Sequence, residues 1–247
     1  MNMKHSYPDG LWLNQDHASV VTVDGTEYQR LAIRTHVITE KDTMSNVAEQ
    51  YAKQLLSDGD ILIVSEKAVA CSQKRALRAC DIKPRMLAKF LSRFVYKSPH
   101  GAGLTDPLVM EMAIRECGTL LILFASFISA IGKLFRKRGW FYRIAGYKAA
   151  SIDGPDPDTL PPYDKYVVLS PLNPDKTAKE IAGKLGHPVC IVDANNLGVN
   201  ILGVSHTIID KALLVKILKD NPLGQSSEQT PMGIVRCIAK RLYTLTA

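Results

Sequence analysis

Apolar and polar positions alternate through residues 18–38, interrupted once at Asp24-Gly25. That dipeptide suits a two-residue hairpin turn, because both positions tolerate positive φ. The stretch predicts a β-hairpin, with His36 late in its second strand in a surface or hydrogen-bonded role. The period then changes. Val47, Ala48, Tyr51, Leu55 and Leu56 fall at helical spacing and predict a helix over 46–56, ended by Ser57-Asp58-Gly59-Asp60. Residues 61–64 are continuously apolar and read as a buried strand. Residues 85–95 and the stretch from Asp106-Pro107 to Cys117 read as helices. The apolar run 119–125 predicts a buried strand, and 140–145 predicts another.

The most organised part of the chain is 146–205. Residues 166–169 read as a short strand. Asn173, Pro174 and Asp175 then mark a helix start, with asparagine as N-cap and proline at the first helical position. Gly186 suits the left-handed residue that closes the helix. Residues 189–192 form a second apolar strand that ends at Asp193-Ala194-Asn195-Asn196. Beyond Gly203 the spacing predicts helices over 208–219 and 232–243, with a polar loop at 221–231 between them. These elements predict an α+β protein with mixed or antiparallel sheets and flanking helices. The expected organisation is one unit over 1–247, with possible subdivision near 97–105 and a helical C-terminal part at 206–247.

Composition changes this picture little. Apolar residues make up 46% and charged residues 22%, as in ordinary globular chains. The net charge of +7 is concentrated around Lys133-Leu134-Phe135-Arg136-Lys137-Arg138, which is either a solvated turn or an anion-facing patch. No nucleic-acid module is recognisable. The five cysteines are widely spaced with no Cys-x-x-Cys, as expected of small core residues in a reducing compartment. The first residues lack a signal-peptide pattern, and the longest apolar run, 119–132, falls short of the ~20 residues a membrane span needs. The expectation is a cytoplasmic protein without a membrane partner.

Candidate chemistry sits at strand ends. Asp153, in Asp153-Gly154-Pro155, and Asp193 flank the two strands of the central stretch. A carboxylate there is fixed by the sheet while its oxygens stay accessible, which suits Mg²⁺ or Mn²⁺; for either aspartate alone, turn chemistry is the simpler reading. Lys67 follows the strand 61–64 and either meets a phosphate or opens the next helix. His100-Gly101-Ala102-Gly103 either lets backbone amides approach an anion or is a plain loop. Asn195 joins the nucleotide- or phosphate-binding candidates, and Gln225 and Glu228, in the polar loop, are additional ones.

Three segments together resemble the coenzyme F-420 gamma-glutamyl ligase family. Residues 58–67, Asp-Gly-Asp-Ile-Leu-Ile-Val-Ser-Glu-Lys, are similar to its Asp-Gly-Asp, strand, lysine opening. Ala149-Ala150-Ser151-Ile152-Asp153 is similar to Asn-Ala-Gly-Ile-Asp, and Val189-Cys190-Ile191-Val192-Asp193-Ala194 to Val-x-Ile-Ser-Asp-Thr. The resemblance implies a GTP- and metal-dependent ligase that adds glutamate to a deazaflavin precursor and works as a homodimer. It also implies that Asp153 and Asp193 carry the metal that holds the GTP phosphates.

The chain also differs from that pattern. Gln73-Lys74-Arg75 stands where the family has Glu-Gly-Arg, and residues 194–200 contain no arginine. Three readings follow. They are an amide-forming ligase, a non-catalytic nucleotide- or anion-binding paralogue, and a metal-dependent phosphate-ester hydrolase.

Overall fold

The computed structural model describes residues 11–12, 17–95, 103–135, 139–195, 198–224 and 228–240. His100, Gly101 and Gln225 lie outside the described residues. In chain order the strands are β1 (Leu11–Trp12), β2 (Val20–Val23), β3 (Thr26–Ile33), β4 (Ile61–Ser65), β5 (Ala76–Arg78), β6 (Tyr166–Val168), β7 (Val189–Asn195), β8 (Gly198–Val204) and β9 (Met232–Lys240). The helices are α1 (Met44–Ala52), α2 (Glu66–Ser72), α3 (Met86–Ser92), α4 (Pro107–Cys117), α5 (Thr119–Leu134), α6 (Trp140–Ala145), α7 (Tyr147–Ala150), α8 (Pro174–Leu185) and α9 (Lys211–Ile217). The chain divides into two compact units: unit 1 is Met1–Gln73 with Pro171–Ala247, and unit 2 is Lys74–Ser170. The class is α+β.

Unit 1 is built on one mixed sheet in the order β1-β3-β9-β4-β7-β8, with β2 also pairing β3. Every pairing is antiparallel except β4 with β7, where Leu62 opposes Val189 and Ser65 opposes Val192. A parallel pair needs a crossover, and the chain from α2 through α8 supplies it. Both faces of this sheet are covered, which is why its strands read as unbroken apolar runs. Leu31, Leu62, Val64, Ile191 and Ile234 point to the face packed by Val47 and Ala48 of α1 and Ile181 and Leu185 of α8. Their neighbours Ala32, Ile63, Cys190, Val192 and Val235 point the other way, toward Leu214 and Ile217 of α9. Asp24 and Gly25 take φ of 49° and 77° at the hairpin turn, as the sequence predicts.

Unit 2 carries a two-stranded antiparallel sheet, β5 with β6, beside α3 to α7. Leu104, Val109, Met110, Ile114, Ile122, Phe141 and Val167 form its core.

Four local expectations change. Residues 119–125 are not a strand but the start of helix α5, and 140–145 form helix α6. An apolar run alone does not distinguish a buried strand from a helix, and here Ile122 and Ala125 face inward one turn apart. The stretch from Met232 is strand β9, not a helix, so the C-terminal part is not wholly helical. β-Branched Ile234 and Val235 bury on opposite faces, the period of a strand. Residues 198–204, to which the sequence reading assigns no element, form β8. Finally, Asn173 is the N-cap of α8 but adopts a left-handed conformation with no side-chain cap bond. Asp175 in the first turn instead accepts the Val204 N–H at 2.8 Å and ties α8 to β8.

Candidate functional site

The sheet of unit 1 has one chemically rich end. There the parallel strands β4 and β7 finish, β3 leaves the sheet and β9 begins. In parallel pairs, side chains beyond the carboxyl ends are fixed by the strands yet left outside the packed layer, where ligands commonly bind. β4 ends at Ser65, opposite Val192, so Glu66-Lys67, which open helix α2, and Asp193, which continues β7, follow side by side. Glu66 is 2% exposed, and its carboxylate meets the Lys67 ammonium at 2.9 Å. Lys67 is therefore a fixed cation at the strand end, held by a buried anion.

β7 continues past Asp193 and folds back as β8, with Asp193 opposite Asn200 and Asn195 opposite Gly198. A register irregularity at Ile191/Val192 precedes the aspartate, and such bulges re-aim side chains. Asp193 is half-buried and accepts a hydrogen bond from Asn195 Nδ2 at 3.3 Å.

The strand β9 is anchored at this same end. Its preceding residues bridge two neighbours: Gln229 Nε2 donates to Thr35 O at 2.7 Å, and the Thr35 N–H donates to Gln229 O at 3.2 Å. The Ser65 N–H donates to Pro231 O at 2.8 Å. Glu228 lies over Gly224, where a Cβ on the glycine would come within 2.7 Å of the Glu228 carboxyl carbon. Beyond β3, His36 contacts Tyr51 Oη at 2.9 Å and Asp42 at 3.1 Å, which fulfils its expected hydrogen-bonded role. Burial alone would raise the Asp42 carboxyl, but the Thr39 backbone N–H and His36 outweigh it and hold it below the ordinary value.

The structure thus brings Lys67, Asp193, Asn195 and Glu228 to one end of one sheet. Asp153 belongs to unit 2, where its backbone N–H and carbonyl pair with Val168 at 2.9 Å each. Among the described residues no three His, Cys, Asp or Glu side chains gather as a metal cage. Asp193, with the Asn195 side chain beside it, is the oxygen donor at that end that could hold an ion.

Two features escape a reading of the sequence. Glu66 is a buried carboxylate in a segment notable only for its lysine, and a charged pair abutting an apolar run is the available signal. Asp60, in Asp58-Gly59-Asp60, is structural: its carboxylate accepts from the Ser57 N–H at 2.8 Å and from Arg236 Nη2 at 2.7 Å.

The sequence pattern of the F420-0:Gamma-glutamyl ligase family matches residues 32–195. The chain belongs to this family. No curated protein matches it. Family membership suggests F420-0 gamma-glutamyl ligase activity. The family match spans β4, Lys67 and Asp193 but stops before β8 and β9, so the strand between β3 and β4 lies outside it.

Proposed function

We propose that the chain is a ligase that joins L-glutamate to an acidic, deazaflavin-type acceptor at the expense of GTP. The carboxyl ends of β4 and β7 receive the nucleotide phosphates. In this reading the acceptor carboxylate takes the terminal phosphoryl group, giving an acyl phosphate and GDP. The glutamate amine then attacks the acyl carbon, an amide forms, and inorganic phosphate leaves with the C–O bonding pair. The observation that carries the proposal is the adjacency of Glu66-Lys67 and Asp193 at the end of the parallel pair, inside the family match.

Lys67 supplies a positioned positive charge for a phosphate, and Asp193 with Asn195 is the group on which a divalent cation would sit. Such a cation neutralises phosphoryl oxygens, and electrostatic stabilisation dominates phosphoryl transfer. Asp153 enters as an independent candidate for metal binding from the family resemblance. His100, Gly101, Gln225 and Glu228 remain candidates for completing the site. Homodimer formation is part of the same proposal.

One observation favours a second reading. β7 returns directly as β8, and residues 194–204 contain no arginine to give bidentate phosphate contacts. A nucleotide-binding paralogue without turnover fits that loss. Incubation with GTP, Mn²⁺, L-glutamate and F420-0, followed by mass spectrometry, separates the readings. The ligase yields a product heavier by one glutamyl residue, together with GDP. Nucleotide binding without product supports the paralogue, and phosphate release independent of glutamate supports a hydrolase.

A further inference from the structure

Helix α5 in unit 2 has an inner face and an outer face, and both are apolar. Ile122 and Ala125 are buried in the core of the unit. On the other side Leu120, Leu123, Phe124 and Phe127 are exposed, Leu120 by 84% and Phe127 by 63%. Their i, i+3, i+4, i+7 spacing makes one continuous stripe. Isolated exposed apolar residues need no explanation, but a contiguous stripe with two phenylalanines marks an interaction surface.

Charge indicates what the surface meets. From Gly118 to Ile152 the sequence contains no aspartate or glutamate, while Lys133, Arg136, Lys137, Arg138, Arg143 and Lys148 are all basic. Arg143 and Lys148 are exposed, as are Tyr142 and Tyr147, and α6 packs beside α5. An apolar stripe in a stretch whose charges are all cationic, with amphipathic aromatic rings following it, is the composition that settles at an anionic lipid interface. Pairing two copies through the stripe would instead set like charge near like charge.

Length decides between lying on a membrane and crossing it. The 16 residues of α5 extend about 24 Å, short of the ~30 Å hydrocarbon core. No single helix among the described residues is long and apolar enough to cross. α4 and α5 together pass by composition but meet at 120°, and Val109, Met110 and Ala113 commit α4 to the core.

We propose that the outward face of α5 docks on an anionic lipid surface, with Leu120, Leu123, Phe124 and Phe127 entering the headgroup–acyl boundary and Arg143 and Lys148 holding lipid phosphates. This departs from the expectation of no membrane partner and does not rest on the ligase reading.

The test is flotation of the full chain with vesicles of phosphatidylcholine alone or enriched in phosphatidylglycerol. Wild type is expected to float with the anionic vesicles, less so at high salt, and to stay behind with phosphatidylcholine. Phe124→Glu with Phe127→Glu should lower partitioning at least tenfold. Arg143→Ser with Lys148→Ser should lower it about fivefold per cation removed. Both pairs are exposed, so far-ultraviolet dichroism of the variants should match wild type. Failure of wild type to float with anionic vesicles, equal flotation with both vesicle types, or flotation indifferent to the phenylalanine pair would each overturn the proposal. A dimer in light scattering that the phenylalanine pair dissolves, without vesicle binding, would assign the stripe to a second copy instead.

Discussion

Replacing Arg236 by alanine should destabilise unit 1 far more than the partial exposure of that arginine suggests. Asp60 is only 1% exposed, whereas the Arg236 side chain is 28% exposed. Arg236 Nε donates to Asp60 Oδ1 at 2.9 Å, and Nη2 donates to Oδ2 at 2.7 Å and to Leu55 O at 3.0 Å. Its removal leaves a buried carboxylate that still accepts from the Ser57 N–H but has lost its countercharge, and it detaches β9 from the loop before β4. Breaking a buried ion pair from one side costs about 3–5 kcal/mol, and the solvent access of Arg236 places this case near about 3. For a unit of this size that corresponds to a melting shift of roughly 6–12 °C. The chain's two tryptophans fall in different units, Trp12 in unit 1 and Trp140 in unit 2. Urea unfolding followed by fluorescence in a Trp140→Phe background therefore reports unit 1. Arg236→Lys keeps the charge but loses the fork and should fall between wild type and alanine. In a double-mutant cycle, Asp60→Ala with Arg236→Ala should cost clearly less than the sum of the singles. A loss below about 1 kcal/mol for Arg236→Ala would place the pair among ordinary surface bridges and refute the reasoning.

Other outcomes follow from local geometry. A Cβ on Gly203 would lie 2.4 Å from the Pro174 backbone carbon, so Gly203→Ala should lower stability by about 1–3 kcal/mol in chemical denaturation through forced separation of α8 and β8. Exposed Cys80 and Cys237 should react with a maleimide first, and Cys190, whose thiol burial pushes up to about 12, should not react in the folded protein. Burial alone would raise the Glu111 carboxyl, but the Arg85 backbone N–H and the Arg85 and Arg115 guanidinium groups hold it below its ordinary 4.5. Its stabilising contribution is therefore present above that pH and lost as pH falls through the folded value. Glu111→Gln should melt earlier than wild type at neutral pH, and the difference should close on acidification.

How much of this is legible in the sequence depends on whether the signal is local. The Asp24-Gly25 turn, the 61–64 strand and the Pro174–Leu185 helix closed by Gly186 are specified by neighbouring residues, and each forms as read. Residues 119–134 are apolar on both faces, so periodicity has no polar side to count from, and a helix reads as a strand. β9 escapes because its partners, β3 and β4, lie far away in the chain; Asp60 and Arg236 are separated by 176 residues. The same distance conceals the site. Lys67 and Asp193 can be singled out separately, but only the parallel register of β4 with β7 sets them at one sheet end. Glu66 stays hidden because burial of a carboxylate cannot be read from its immediate neighbours.

A nucleotide site at the ends of β4 and β7 is tested most directly by calorimetric titration of the full chain with GTP in Mn²⁺, comparing wild type with Asp193→Asn. Wild type should bind in a metal-dependent manner and the variant at least tenfold more weakly, with the variant's melting temperature in the absence of ligand unchanged. Equal GTP affinity in the two proteins, or no binding by wild type with or without metal, would contradict that site.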